Sequence, residues 1–143
     1  MKILPEKPTV YFDIDDTLIL WRKEMVPDKW KPYGILFGKN KDIKGWPHQK
    51  HIELLKQFKA RDHNVIIWSS GGSNWAAHVI DVLGLTDYVD FITPKPHWFV
   101  DDLLGKDILL NYQRIYLNPF KNRKKIKIQE KEIFNAFFGT KMD

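Results

Sequence analysis

Residues 9–14, Thr-Val-Tyr-Phe-Asp-Ile, are almost wholly β-branched, aromatic or aliphatic; they follow Pro8 and run into the acidic turn Asp15-Asp16. A short apolar run bounded by turn signals predicts a buried strand. Residues 64–68, Asn-Val-Ile-Ile-Trp, repeat the pattern and are apolar after the first position. A continuous run of this kind suits a parallel sheet covered on both faces. Before it, Pro47 suits the first position of a helix, and Ile52, Leu55 and Phe58 recur at three-residue intervals, which predicts one apolar helical face ending near Arg61. After it, Ser69-Ser70-Gly71-Gly72-Ser73 forms a tight polar turn, and Ser73 or Asn74 is placed to cap a second helix through Ala76, Ala77, Val79, Ile80, Val82 and Leu83, closed by Gly84. Short apolar pieces at 89–93 and 98–100, split by Pro94-Lys95-Pro96, predict a third and a fourth strand. Residues 114–117 read as a fifth strand, and 130–138, with Ile133, Phe134, Phe137 and Phe138, as a terminal amphipathic helix.

This alternation of strand and helix predicts an α/β fold of three layers, Rossmann-like, on a mainly parallel five-stranded sheet. A length of 143 residues suits one domain, 1–143, that buries a sizeable core. Residues 18–46, interrupted by Pro27, Pro32, Gly34, Gly38 and Gly45, read as a small flap of turns inserted after the first strand. Residues 121–143 read as a basic terminal segment with a helix.

In open α/β sheets, ligands bind beyond the carboxyl ends of the strands. Three polar clusters fall there: Asp13-Ile14-Asp15-Asp16-Thr17, then Ser69-Ser70-Gly71-Gly72, then Asp101-Asp102. Asp13 and Asp15 are two positions apart, so in extended backbone their carboxylates leave on one side. Adding Asp101 and Asp102 would gather like charges that need a cation, and an all-oxygen donor set favours Mg²⁺. Such a cation pairs with phosphate and lets a carboxylate attack phosphorus. Lys95 is a second positive charge for that phosphate. Ser69, with the N–H groups of the Gly71-Gly72 turn and the helix behind it, is a candidate cradle for the remaining oxygens. Ser70 and Thr93 are alternative polar contacts, Asp107 is either a helix cap or a neighbour of the metal site, and His97 is placed to touch substrate.

These residues resemble the motifs of the haloacid dehalogenase superfamily of phosphohydrolases. Asp13-Ile14-Asp15-Asp16-Thr17-Leu18 is similar to the first motif, Val65-Ile66-Ile67-Trp68-Ser69 to the second, Lys95-Pro96 to the third and Phe99-Val100-Asp101-Asp102 to the acidic fourth. The resemblance implies that Asp13 is the nucleophile that becomes an aspartyl phosphate, that Asp15 is the general acid and then base, and that Thr17 orders the loop. It further implies that Asp102 ligates Mg²⁺ with Asp13 and the Asp15 backbone carbonyl, while Asp101 acts through water. An acid at Asp15 implies a phosphatase within that superfamily. The short 18–46 insertion implies a minimal, uncapped member with an open crevice.

Charge bears on the substrate. The net charge is +5, with the middle of the chain acidic and both flanks basic. A basic flap holding Trp30, Tyr33 and Phe37, and the cluster Lys121, Arg123, Lys124, Lys125 and Lys127, suit nucleic acid. The competing reading has the aromatic rings packing the flap onto the sheet and the lysines facing water. The expected substrate is therefore a nucleotide or nucleic-acid terminal phosphate, with a sugar phosphate or another small metabolite as the alternative. A non-catalytic nucleic-acid-binding module, or an oligomer built on exposed aromatic residues, are the readings of other classes. The chain has no cysteine, which removes disulfides, thiolate metal sites and cysteine nucleophiles and points to a reducing, cytoplasmic setting. No apolar run approaches membrane-spanning length, so no membrane partner is expected.

Overall fold

The computed structural model describes residues 1–98 and 100–102. The chain divides into two compact units, Met1–Lys95 and Pro96–Asp143, and the first holds all the strands and helices described below. Its frame is a parallel sheet in the order β1 (Thr9–Asp13), β5 (Asn64–Ser69), β6 (Phe91–Pro94). Thr9 pairs with Asn64, Asp13 with Trp68, and Trp68 in turn with Thr93. The central strand β5 is the most apolar, with Val65, Ile66 and Ile67 almost fully buried.

Helix α1 (Gln49–Ala60) links β1's side of the sheet to β5, and α2 (Ser73–Val82) links β5 to β6. Both crossovers step the same way along the sheet, and right-handed connections put both helices on one face. Phe12 of β1 meets Phe58 of α1 on that face, at 6.0 Å between ring centroids. On the other face Tyr11 and Phe91 are half exposed. Helix α1 begins not at Pro47, as its sequence suggested, but after His48, whose Nδ1 accepts the His51 N–H at 3.1 Å. Pro47 is instead the last residue of a strand, paired with Ile19. Helix α2 has Gly72 at its N-cap in place of the expected Ser73 or Asn74. It ends as expected at Gly84, whose φ of +70° lets the Gly84 N–H reach the Asp81 carbonyl and the Leu85 N–H the Ile80 carbonyl.

The flap is more ordered than a run of turns. Strands β2 (Ile19–Leu20), β3 (Ile35–Phe37) and β4 (Ile43–Pro47) form a second, antiparallel sheet in the order β2-β4-β3. Two short 3-10 helices, Lys23–Met25 and Asp28–Tyr33, carry the chain from β2 to β3. Leu20, Val26, Trp30 and Trp46 make a small core of their own, and the Trp46 indole donates to the Lys31 carbonyl at 3.0 Å.

The amino ends of the parallel strands carry polar groups that serve the fold. Asn64 is buried and its amide donates to the Pro5 carbonyl at 2.9 Å and to Thr9 Oγ1 at 3.1 Å, fastening the N-terminal arm. Asp90 accepts the Val65 N–H at 2.8 Å and pairs with Lys59 of α1 at 2.6 Å. Burial pushes the Asp90 carboxyl up, but the Lys59 ammonium and the Val65 N–H outweigh it and hold it below the usual range.

The expected third strand is present, shifted to Phe91–Pro94. Of the expected fourth, Trp98 and Val100 are described and lie in no strand. The fifth strand, the terminal helix, Asp107 and the second basic cluster lie outside the described residues. An α/β architecture with a parallel sheet is thus present, with three parallel strands among the described residues. Among the same residues, no helix is long and apolar enough to cross a membrane.

Candidate active site

Strands β1, β5 and β6 are parallel, so their carboxyl ends open on one edge of the sheet and deliver Asp13, Ser69 and Lys95 together. Lys95 Nζ lies 3.1 Å from Asp13 Oδ1, and each side chain is about two-thirds buried, at 36% and 32% exposed. The same ammonium stands 5.8 Å from the centroid of the Trp68 ring, a cation–π approach that helps hold it at the strand ends. The Lys95 backbone N–H donates to the Ser69 carbonyl at 2.9 Å, which ties the lysine to β5.

Ser69 is fully buried. Its hydroxyl oxygen accepts the Gly71 N–H at 3.0 Å, and its carbonyl accepts the Gly72 N–H at 3.3 Å. The turn N–H groups therefore close the turn on Ser69. The Ser69 hydroxyl proton and the exposed Ser70 remain as donors toward an anion. Thr93, level with Trp68 on the neighbouring strand, bonds the Pro94 carbonyl at 3.2 Å.

The acidic loop after β1 is a compact turn. Leu18 N–H bonds the Ile14 carbonyl at 2.9 Å, and Asp16 N–H bonds the Ile19 carbonyl at 2.8 Å. Asp16 takes the left-handed φ of +59°, which Asp tolerates better than most residues. Burial pushes the Asp16 carboxyl up, the charge of Asp15 and then of Asp13 adds to this, and Arg22 opposes it. Thr17 presents its carbonyl to His51 Nδ1 at 2.6 Å, so α1 grips the loop directly.

Asp15 is held by two tryptophans. Trp21 Nε1 donates to Asp15 Oδ1 at 2.8 Å and Trp75 Nε1 to the same oxygen at 3.3 Å. Trp21 comes from the flap and Trp75 from the first turn of α2; their rings are 5.8 Å apart. Trp21 rests on Phe37 at 5.3 Å and on Gly45, where an added Cβ would stand 2.6 Å from Trp21 Cζ3. A further bond closes the group: the Gly38 N–H donates to His78 Nε2 at 2.9 Å, joining the flap to α2.

The sequence had marked neither these indoles nor His51. Trp21 and Trp75 each follow closely on a polar cluster, and that adjacency was the available signal.

Among the described residues, no three His, Cys, Asp or Glu side chains stand together as a metal-holding group. Asp101 and Asp102 belong to the second unit and His97 is exposed there. The donor chemistry around Asp13 and Asp15 suits a hard cation: both side chains offer carboxylate oxygen, and their charges add to the burial that raises the Asp16 carboxyl, a repulsion that a cation relieves. In the flap, Trp30 and Phe37 are buried, at 5% and 1% exposed, and only Tyr33 of the three expected stacking rings is open, at 62%. Compared with protein-family models, with curated proteins and with solved structures, the chain finds no match.

Proposed function

We propose that this chain is a Mg²⁺-dependent phosphomonoester hydrolase of the haloacid dehalogenase type, working through an aspartyl phosphate on Asp13. The observation that carries the reading is the Lys95–Asp13 pair at 3.1 Å, contributed by opposite edges of the described parallel sheet. A carboxylate at a strand end, matched by one ammonium and backed by a buried Ser, is a nucleophile with an anion cradle.

In this reading Asp13 attacks phosphorus while Lys95 and Ser69, with Ser70, neutralise and orient the phosphate oxygens. Asp15 protonates the departing ester oxygen, then takes a proton from the water that hydrolyses the aspartyl phosphate. Thr17 and its bond to His51 hold the loop in register. Asp13 and the Asp15 backbone carbonyl would hold Mg²⁺, and the ion would supply positive charge against the phosphate.

A nucleotide or nucleic-acid terminal phosphate suits the exposed Tyr33 beside the flap lysines. The burial of Trp30 and Phe37 removes two stacking surfaces and favours the second reading, a sugar phosphate or other small ester. The test is phosphate release from 4-nitrophenyl phosphate with and without Mg²⁺, for the wild type, Asp13→Asn and Asp15→Asn. Metal-dependent turnover lost in both variants supports the assignments. Turnover indifferent to Asp13 removes the aspartyl phosphate, and no turnover returns the chain to a binding module or an oligomeric scaffold.

A further inference from the structure

We propose that Trp21 and Trp75 are positioning residues that determine which oxygen of Asp15 handles the proton; this rests on the hydrolase reading above. Both indole N–H groups converge on Oδ1, at 2.8 and 3.3 Å. An indole N–H donates and never accepts. With two donors on it, Oδ1 has both lone-pair directions taken, and a proton placed there would face hydrogens. The proton therefore rides on Oδ2, which no donor meets among the described residues.

The two bonds also fix the plane of the carboxylate. One bond leaves a carboxylate free to rotate about it; a second, from a different element, removes that freedom. The elements are separate: Trp21 leaves β2 of the flap and is backed by Phe37 and Gly45, whereas Trp75 stands on α2 and contacts His78 at 5.7 Å. The flap thus contributes to the acid–base step.

The chemistry balances at named atoms. Asp15 Oδ2–H gives its proton to the ester oxygen as the bond from that oxygen to phosphorus breaks and the bond from Asp13 to phosphorus forms. Oδ2 then accepts a proton from water as the water oxygen bonds to phosphorus and the Asp13–phosphorus bond breaks. Inorganic phosphate leaves, and Oδ2 again carries the proton for the next turnover. Oδ1 accepts two N–H bonds throughout.

A general acid matters most where the leaving group is a poor one. The experiment compares kcat/KM, which reports steps through ester cleavage, for phenyl phosphate and 4-nitrophenyl phosphate in the wild type, Trp21→Phe, Trp75→Phe and the double variant. Phenylalanine keeps a ring and removes the donor. The expected result is a loss for phenyl phosphate about ten-fold larger than the loss for 4-nitrophenyl phosphate in Trp21→Phe, a smaller excess in Trp75→Phe, and the largest in the double variant. Equal losses with the two esters mean that the indoles merely support the fold, and overturn the proposal. A second measurement is independent of turnover: the indole N–H resonances of Trp21 and Trp75 should shift in Asp15→Asn while those of Trp30 and Trp46 stay. Unmoved Trp21 and Trp75 resonances overturn the clamp. Shifted resonances in a wild type that hydrolyses neither ester overturn the hydrolase reading, and with it the proton assignment, while the clamp itself stands.

Discussion

His48 and His51 stack face to face, with 3.4 Å between ring centroids and 7° between planes. Three bonds follow from this arrangement. The His48 N–H donates to the Leu18 carbonyl at 2.9 Å, His48 Nδ1 caps α1, and His51 Nδ1 donates to the Thr17 carbonyl at 2.6 Å. The start of α1 therefore holds the loop that carries Asp15 and Asp16.

Burial, assisted by His51 and Lys50, pushes His48 down to about 2, so it stays neutral in the fold. The unfolded chain binds that proton below its ordinary value of 6.5 and the fold does not. Stability is therefore complete above that value and falls as pH drops through it, by about 1 kcal/mol per pH unit below roughly pH 6. In His48→Asn, which keeps a capping acceptor, urea melts between pH 6 and pH 4 should show a flatter slope than the wild type. Parallel slopes would refute the assignment.

Asp16 carries the opposite sign for an acid. Its carboxyl is raised by burial and by Asp15, so the fold loses stability as pH rises through its ordinary value of 3.8 toward the raised one. Asn removes the charge and accepts the left-handed φ of +59°. Asp16→Asn should gain roughly 0.5 kcal/mol at pH 7 after allowance for solvent screening, read from urea denaturation. On the proposed Mg²⁺-dependent reading, the gain should shrink when Mg²⁺ is added, because the cation would then compensate the charge.

At Gly45, alanine would place a methyl 2.6 Å from Trp21 Cζ3 and 2.9 Å from Ile19 Cγ1. Overpacking of this kind costs about 1–3 kcal/mol, and here it also pushes the indole off Asp15. Gly45→Ala should lower stability in urea and, for phenyl phosphate, lose kcat/KM in the manner of Trp21→Phe. Loss of stability without that selectivity would separate the packing of Gly45 from the clamp.

Asn64 sits at the opposite ends of the strands from Asp13. Its amide holds the Pro5 carbonyl and Thr9 Oγ1, while its Oδ1 is buried without a partner among the described residues. Asn64→Ala should cost about 1 kcal/mol, because the N-terminal arm loses the amide that holds the Pro5 carbonyl and Thr9 Oγ1, yet leave kcat near the wild-type value. A large fall in kcat at full folding would contradict the separation of stabilising and reactive ends of the sheet.

The strands β1 and β5 and the turn between β5 and α2 were legible in the sequence because their signals are local: apolar runs, then Pro, Gly or clustered acids. Lys95 and Asp13 could be brought together from their places at strand ends alone. What could not be read depended on packing. Pro47 reads as a helix start, but the side chain of His48 supplies the cap, and pairing with Ile19 draws Pro47 into β4. Residues 89–90 read as strand, but the Asp90 carboxylate takes the Val65 N–H and the ladder begins one residue later. The flap's strands arise because Trp30 and Trp46 need cover, a requirement that no periodicity records. The bond from Trp75 to Asp15 spans 60 residues, beyond any local pattern.

The pairing order of the sheets also sets a timetable for folding. Phe37 meets Ile43 across a short hairpin, and closures of that kind take microseconds. Thr9 meets Asn64 only by closing a span of 55 residues, and such non-local parallel pairings are slow. During synthesis β1 emerges first and must wait for β5 before it has a neighbour, with Val10, Tyr11 and Phe12 unpaired meanwhile. The early hairpin and α1 shorten the effective loop while the strand waits, so the flap acts as a folding aid for the sheet as well as a wall for Asp15.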